Sequence, residues 1–393
     1  MNNRHIPPHT PHLASRLPAV GTTVFTRMST LAMQHGAVNL GQGFPDFACD
    51  PQLVEMVSAA MREGFNQYPM GIGAPVLRQA IVDKIAAVYG HSYDVNAEIT
   101  VTPGATEGLT TAILCAVHPG DEVIVIEPAY DSYMPAIELA GGVAVPVQME
   151  VAEHGGYSIP WPRVAAAVTP RTRMIILNTP HNPTGSVLRA ADMQALCDIV
   201  RGTEVLILSD EVYEHMVYDG QRHESMSRYP ELAARAFVVS SFGKTYHVTG
   251  WKIGYVAAPA PLMAEFRKVH QYNVFSVNTP MQHGIAAYMA DPAPYRDLPA
   301  FYQRKRDLFR DGLKNSRFEL LPADGTYFQC VRYEAISSLS EAGFSEWLTT
   351  EVKVAAIPVS AFYREARESG IVRFCFAKKD ETLALALERL ARI

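Results

Sequence analysis

Between about residues 51 and 292, short β-branched apolar runs alternate with helical stretches, and this alternation constrains the fold more than any other feature. The runs are EVIVIEP (122–128), VAVPVQ (143–148), RMIILNTP (173–180), EVLILSD (204–210), AFVVSSF (236–242) and IGYVAAP (253–259). Helices are predicted over GATEGLTTAILCAV (104–117) and RAADMQALCDIV (189–200). Near-continuous apolar strands separated by helices predict an α/β fold with a mostly parallel sheet sandwiched by helices. A loop rather than a helix joins the last two runs, which is compatible with an antiparallel edge strand.

The final ~100 residues read differently. YQRKRDLFRDGLKN (302–315) is a charged amphipathic helix, and FELLPADGTYFQCVRY, KVAAIPVSAFY and IVRFCF are strand-like with looser spacing. The expected division is a large domain over 51–292 and a smaller α+β domain over 293–393. The segment 1–50, poor in strand signals, is expected to pack beside the small domain and near the site. Apolar residues are 48% of the 393 and charged ones only 19%, so the core is large and further surface is expected to be buried against another subunit.

Several classes fall away. Thirty-four basic against 40 acidic residues give a net charge of −6 with no basic run, which offers nothing to a nucleic acid. The five cysteines are scattered, with no C-x-x-C pair, against zinc and disulfide frameworks and in favour of a reducing cytoplasm. No metal site is expected. The opening MNNRHIPPHTPHLASRLPAV lacks the apolar centre of a secretory leader, and no run approaches the ~18 apolar residues of a membrane span.

In SSFGKTYHVTGWKIGYVAAP (240–259), Gly243-Lys244-Thr245 matches the end of a nucleotide-binding P-loop. The motif needs another glycine five positions before Gly243, where Val238 stands, so that reading fails. Lys244 is then either a solvated surface cation or a partly desolvated amine, which would be nucleophilic enough to form an imine.

Ligands of open α/β sheets gather at the carboxyl ends of strands. Unusual polar residues lie there: Tyr130 in EPAYDSY, Asn182 in NTPHNPTG, Asp210 and Tyr213 in SDEVY, Ser241 beside Lys244. Asp210 could cap a helix starting at Glu211, or hold a protonated ring nitrogen. Tyr213 would share its helical face, or simply pack in the core. Gly104, Ala105 and Thr106 open a helix whose N–H groups could receive a phosphate. Ser241 and Lys252 could assist, or be a turn hydroxyl and a surface lysine. Arg373, alternating with Cys375 in IVRFCF, needs an anion, either a structural Asp or Glu or a substrate carboxylate.

NTPHNPTG, SDEVYE and SSFGKTYHVTGWKIGY, in this order and spacing, resemble the pyridoxal-phosphate-dependent aminotransferases of fold type I, class I/II, over nearly the whole chain. NLGQGFPDF, FSVNTP, GTYF and IPVSAFY are similar to the branch acting on methionine, glutamine, kynurenine and related amino acids. The resemblance implies that Lys244 binds pyridoxal 5'-phosphate covalently and later carries the substrate Cα proton. It places Asp210 at the pyridine nitrogen, Tyr213 and Asn182 at the phenolic oxygen, and Tyr130 against the ring. Ser241, Lys252, the amides of Ala105 and Thr106, and Tyr68 from a second subunit would hold the phosphate. Arg373, Asn182 and the Gly43 backbone would bind the substrate carboxylate. Phe25, Tyr68 and Phe275 would surround the side chain, with Phe275 from the neighbouring subunit of a homodimer. Lys252 departs from the arginine most members carry in G-x-R-x-G, keeping the charge but losing the fork. That departure suits the methionine and kynurenine branch.

The implied reaction moves an amino group from a neutral or aromatic amino acid to a 2-oxo acid with ping-pong kinetics. Its rivals are a carbon–sulfur β-lyase on the same scaffold and a cofactor-binding transcription regulator. The regulator would need a DNA-binding domain ahead of NLGQGF, where only ~40 residues without a basic helix stand.

Overall fold

The computed structural model describes residues 13–152, 155–365 and 367–393, so the first part of the stretch read for a leader lies outside the described residues. Its centre is a seven-stranded sheet. The strands are β1 (Ile99–Thr102), β2 (Glu122–Glu127), β3 (Val143–Gln148), β4 (Thr172–Asn178), β5 (Leu206–Asp210), β6 (Ala236–Ser241) and β7 (Gly254–Ala257). Their order is β1-β7-β6-β5-β4-β2-β3. The pairs from β3 to β6 are parallel, whereas β7 runs antiparallel to both neighbours. The antiparallel strand is therefore present but not at the edge, because β1 pairs along its outer side and leaves β7 inside the sheet.

Alternate residues of each strand enter different cores. Val123 and Val125 of β2 join Leu109, Ile113, Leu208 and Phe266 on one face. Ile124 and Ile126 join Leu77, Ile81, Leu196 and Ile207 on the other. Apolar character at every position follows from this two-sided burial, with each fully buried branched side chain contributing about 1.5–3 kcal/mol. The first face is covered by α2 (Ala105–Ala116), α3 (Tyr133–Ala140) and α5 (Ala260–Asn273); α4 (Ala190–Val200) covers the second. No helix among the described residues is long and apolar enough to cross a membrane.

A four-stranded antiparallel sheet stands beside this layer: β8 (Glu319–Leu320), β9 (Phe328–Arg332), β10 (Ile357–Pro358) and β11 (Ile371–Cys375), ordered β8-β9-β11-β10. The charged helix predicted near 302–315 is α6 (Leu298–Leu313), whose Phe309 ring meets the sheet edge to face, 5.8 Å from Phe374 between ring centres. Near the N-terminus, α1 (Val24–His35) buries Met28 against Ile357 and Phe362, and Val38–Asn39 pairs in parallel with Val354–Ala355.

Candidate active site

The parallel strands deliver their carboxyl ends to one rim of the large sheet. Because β7 is reversed, its amino end reaches the same rim, with Gly254 opposite both Ser241 and Thr102. That geometry brings Lys252, which precedes a strand, level with residues that follow strands. The rim, the loop at Gln42–Phe44, and Phe328 and Arg373 of the small sheet enclose a cavity of about 360 Å³.

One end of the cavity suits an anion. Gly104 precedes α2 at φ 78, and the helix has no side-chain cap, so its first N–H groups stay open. A Cβ at Gly104 would lie 3.1 Å from Lys252 Nζ, so the missing side chain leaves room for that ammonium. Ser241 Oγ accepts the Gly243 N–H at 3.2 Å and lines the same end. Thr106 Oγ1 lies 3.5 Å from the Tyr130 hydroxyl, and both residues line the cavity.

Asp210 ends β5 and is 4% exposed. No helix begins at Glu211; the chain passes through turns, so neither the helix cap nor the shared helical face with Tyr213 applies. Instead Oδ1 accepts the Val212 N–H at 3.3 Å and Oδ2 the Tyr133 hydroxyl at 2.7 Å. Burial pushes the carboxyl up to about 6, against the opposing pull of these hydrogen bonds and of Lys244. Tyr213 nevertheless lines the cavity with Asp210, brought there by the turn.

Lys244 lies on a single helical turn, Phe242–Thr245, directly after β6. Its Nζ donates to Tyr327 Oη at 2.9 Å and to the Gly43 carbonyl at 3.2 Å, and burial lowers its pKa to about 8. The surface-cation alternative does not hold.

Arg373 is 1% exposed, and its hydrogen bonds go to neutral oxygens: Asn182 Oδ1 at 2.6 Å and the Gly41 carbonyl at 2.9 Å. Its buried Nε has no partner. The guanidinium lies 3.8 Å from the Phe328 ring centre and 5.5 Å from that of Phe25. Among the described residues no Asp or Glu pairs with it, so the structural carboxylate is not the answer, and a planar anion can still be received.

The cavity thus gathers Phe25, Gly43, Gly104, Ala105, Thr106, Tyr130 and Asn182 with Asp210, Tyr213, Ser241, Lys244, Lys252 and Arg373. It does not gather Tyr68 or Phe275, which are 78% and 59% exposed and meet edge to face at 5.1 Å. Besides the lining rings of Phe44 and Phe328, sequence reasoning missed three hydrogen-bonding contributors. Asn178 donates to the Asp210 carbonyl at 2.8 Å and accepts the Asn182 N–H at 2.7 Å. Tyr133 and Tyr327 bond the two central ionisable groups. Asn178 stands in the quoted NTPHNPTG, Tyr327 in GTYF and Tyr133 in EPAYDSY, so the stretches were flagged but not these positions within them.

The chain is similar to known proteins over nearly its whole length. The family model described as aminotransferase class I and II matches residues 36–390. A methionine aminotransferase of Escherichia coli is 49% identical, the match covering 96% of this chain and 98% of that protein. A probable N-succinyldiaminopimelate aminotransferase of Mycobacterium tuberculosis is 40% identical over 96% of this chain and 97% of its own. A crystal structure from Escherichia coli, described as having a methionine aminotransferase function, superposes with a TM-score of 0.95 at 48% identity, covering 98% of this chain and 100% of the other.

Proposed function

The chain belongs to the class I and II aminotransferases, and from that premise we propose that it carries pyridoxal 5'-phosphate on Lys244 and transfers the amino group of methionine and related neutral or aromatic amino acids to a 2-oxo acid. The observation that carries this reading is the pairing, in one cavity, of a buried carboxylate and a half-buried amine that do not bond each other. The residues fit the cofactor. Lys252, Ser241 and the open amides of α2 suit its phosphate, Asp210 its ring nitrogen, and Tyr130 its ring face. Tyr213 and Asn182 suit its phenolic oxygen. When bound, the cofactor supplies an electron sink for the pair left on Cα as the proton departs.

The protein's own groups do the rest. Arg373 and Asn182, with the backbone near Gly43, hold the substrate carboxylate and so fix Cα. Burial keeps a useful fraction of Lys244 unprotonated near neutral pH, ready to take the Cα proton. Asp210, ionised, holds a proton on the ring nitrogen opposite.

Methionine is supported by the Escherichia coli methionine aminotransferase and crystal structure compared above, and by the aromatic lining of Phe25, Phe44 and Phe328. The Mycobacterium tuberculosis relative favours a second reading, a donor with a distal carboxylate. Against it, the cations lining the cavity are Lys244, Lys252 and Arg373, each of which this reading already assigns to the cofactor or the α-carboxylate. A homodimer with shared sites is supported by the exposed apolar set Val54, Met61, Phe65, Tyr68, Met70 and Phe275. The division into segments 1–50, 51–292 and 293–393 is kept, and five free cysteines suit the cytoplasm.

Borohydride reduction of the purified, yellow protein followed by peptide mapping should place the pyridoxyl label on Lys244. Label elsewhere, or none, sinks the reading. Steady-state assays should rank methionine far above aspartate and N-succinyldiaminopimelate in kcat/KM; the reverse order would transfer the assignment to the acidic donors. Pyruvate and ammonia released from cystathionine without an amino acceptor would instead point to a β-lyase.

A further inference from the structure

We infer that Tyr327 is a positioning residue which, together with the Gly43 carbonyl, aims the lone pair of the Lys244 amine into the cavity. The inference rests on the reading of Lys244 as the proton-carrying amine. Tyr327 is fully buried in GTYF, just before β9, and is not among the residues lining the cavity, so it can act only through a neighbour.

The hydrogen bonds fix the direction. The Tyr327 hydroxyl donates to the Gly43 carbonyl, so its proton is committed and toward Lys244 it can only accept. Lys244 Nζ lies 2.9 Å from that hydroxyl oxygen and 3.2 Å from the Gly43 carbonyl oxygen. A neutral primary amine has two N–H groups and one lone pair in tetrahedral array. Both acceptors lie together, being bonded to each other, so both N–H groups turn to one side. The lone pair then faces away from Tyr327, which does not line the cavity that Lys244 lines. Without the hydroxyl, one N–H is released, the amine rotates about its Cε–Nζ bond, and the lone pair spends less time toward Cα.

The ring of Tyr327 is held independently, by Phe328 at 4.9 Å, Tyr213 at 5.2 Å and Tyr302 at 5.7 Å between ring centres. Tyr327→Phe therefore removes the hydroxyl and keeps the packing. Tyr302 supplies the matching control, since its buried hydroxyl has no partner. The titratable and charged groups around the amine are Asp210, Tyr213, Lys252, Tyr327, Arg373 and Cys375, and both substitutions leave the other charges in place.

The test uses the full-length chain stripped of cofactor with hydroxylamine. Trace acetylation between about pH 6 and 11, read by peptide mass spectrometry, gives the titration of Lys244 alone. Tyr327→Phe should lower that midpoint by about one unit, because the ammonium loses an acceptor, while Tyr302→Phe leaves it in place. After reconstitution, Tyr327→Phe should lower kcat by about thirtyfold with KM changed less than about threefold. An unchanged midpoint in Tyr327→Phe, or an equal shift in Tyr302→Phe, overturns the inference. Should Tyr327→Phe fail to fold, a crystal structure of the unsubstituted, cofactor-stripped chain decides: Lys244 Nζ beyond about 3.5 Å from both oxygens overturns it. The acetylation result does not depend on transamination, so it is separable from the borohydride mapping that tests the function itself.

Discussion

Asp210 and Glu214 stand within one short turn, yet the two buried carboxylates are accommodated in opposite ways. Glu214 is saturated: Oε2 accepts from Lys84 Nζ at 2.6 Å and from the Tyr89 hydroxyl, Oε1 from the Ser240 hydroxyl and from Tyr255 at 3.2 Å. Burial pushes this carboxyl up, but the adjoining Lys84 ammonium prevails and holds it well below the usual carboxylate range. Asp210 has the Tyr133 hydroxyl and the Val212 amide only, and there burial prevails. The contrast teaches how to tell a structural charge from a working one. Glu214 has no lone pair left for a ligand, whereas Asp210 is under-bonded and waits for a cationic partner.

The comparison can be broken by substitution. The largest expected effect is on the working side: Lys244→Ala should lower amino transfer by on the order of 10⁴-fold or more while the thermal transition stays near that of the parent, as turnover assays and calorimetry would show. On the structural side, Lys84→Met leaves Glu214 buried without its cation and should cost about 3–5 kcal/mol in urea unfolding. Restoring most of that loss with Glu214→Gln in the same chain would sharpen the point; no loss at all would erase the distinction.

Asp210→Asn should do the reverse to stability. The folded carboxyl titrates at about 6 and the unfolded one near 3.8. Folding therefore favours the protonated acid; its contribution is full below the unfolded pKa and is lost as pH rises through about 6. The difference is roughly 3 kcal/mol, so at about pH 8 the cofactor-free Asp210→Asn chain should be more stable than the parent by that order while amino transfer collapses. Denaturant titrations at about pH 4 and 8 would check it, the gain vanishing at the lower pH. The smallest effect belongs to Arg373→Lys, which keeps the charge and loses the fork: kcat/KM should fall about thirtyfold, mostly through KM.

The parallel strands were legible because burial on both faces writes an unbroken apolar run, as in Glu122–Glu127. The interior place of β7 was not, since nothing in its own residues says that Ile99–Thr102 will pair along its far side. In the site, charged residues stood out against apolar surroundings, which is why Lys244, Asp210 and Arg373 could be singled out. Tyr133 and Tyr327 stood in the quoted EPAYDSY and GTYF but were not singled out, because a tyrosine reads as packing until a third dimension shows where its hydroxyl points. Tyr68 and Phe275 carry the opposite lesson: both were expected at the substrate from a second subunit, and both stand exposed, away from this chain's cavity.

The reversed strand also bears on when the protein first becomes able to capture its ligand. β7 is the last segment of the large sheet to be synthesised, and it bridges β6 to β1, the first. Until it slots into that gap, the amide-bearing end of α2 and the ammonium of Lys252 stay apart, and half of the anion cradle is missing. Such long-range closure is slow compared with local pairing. An anion held in that cradle would thereby mark completion of the sheet.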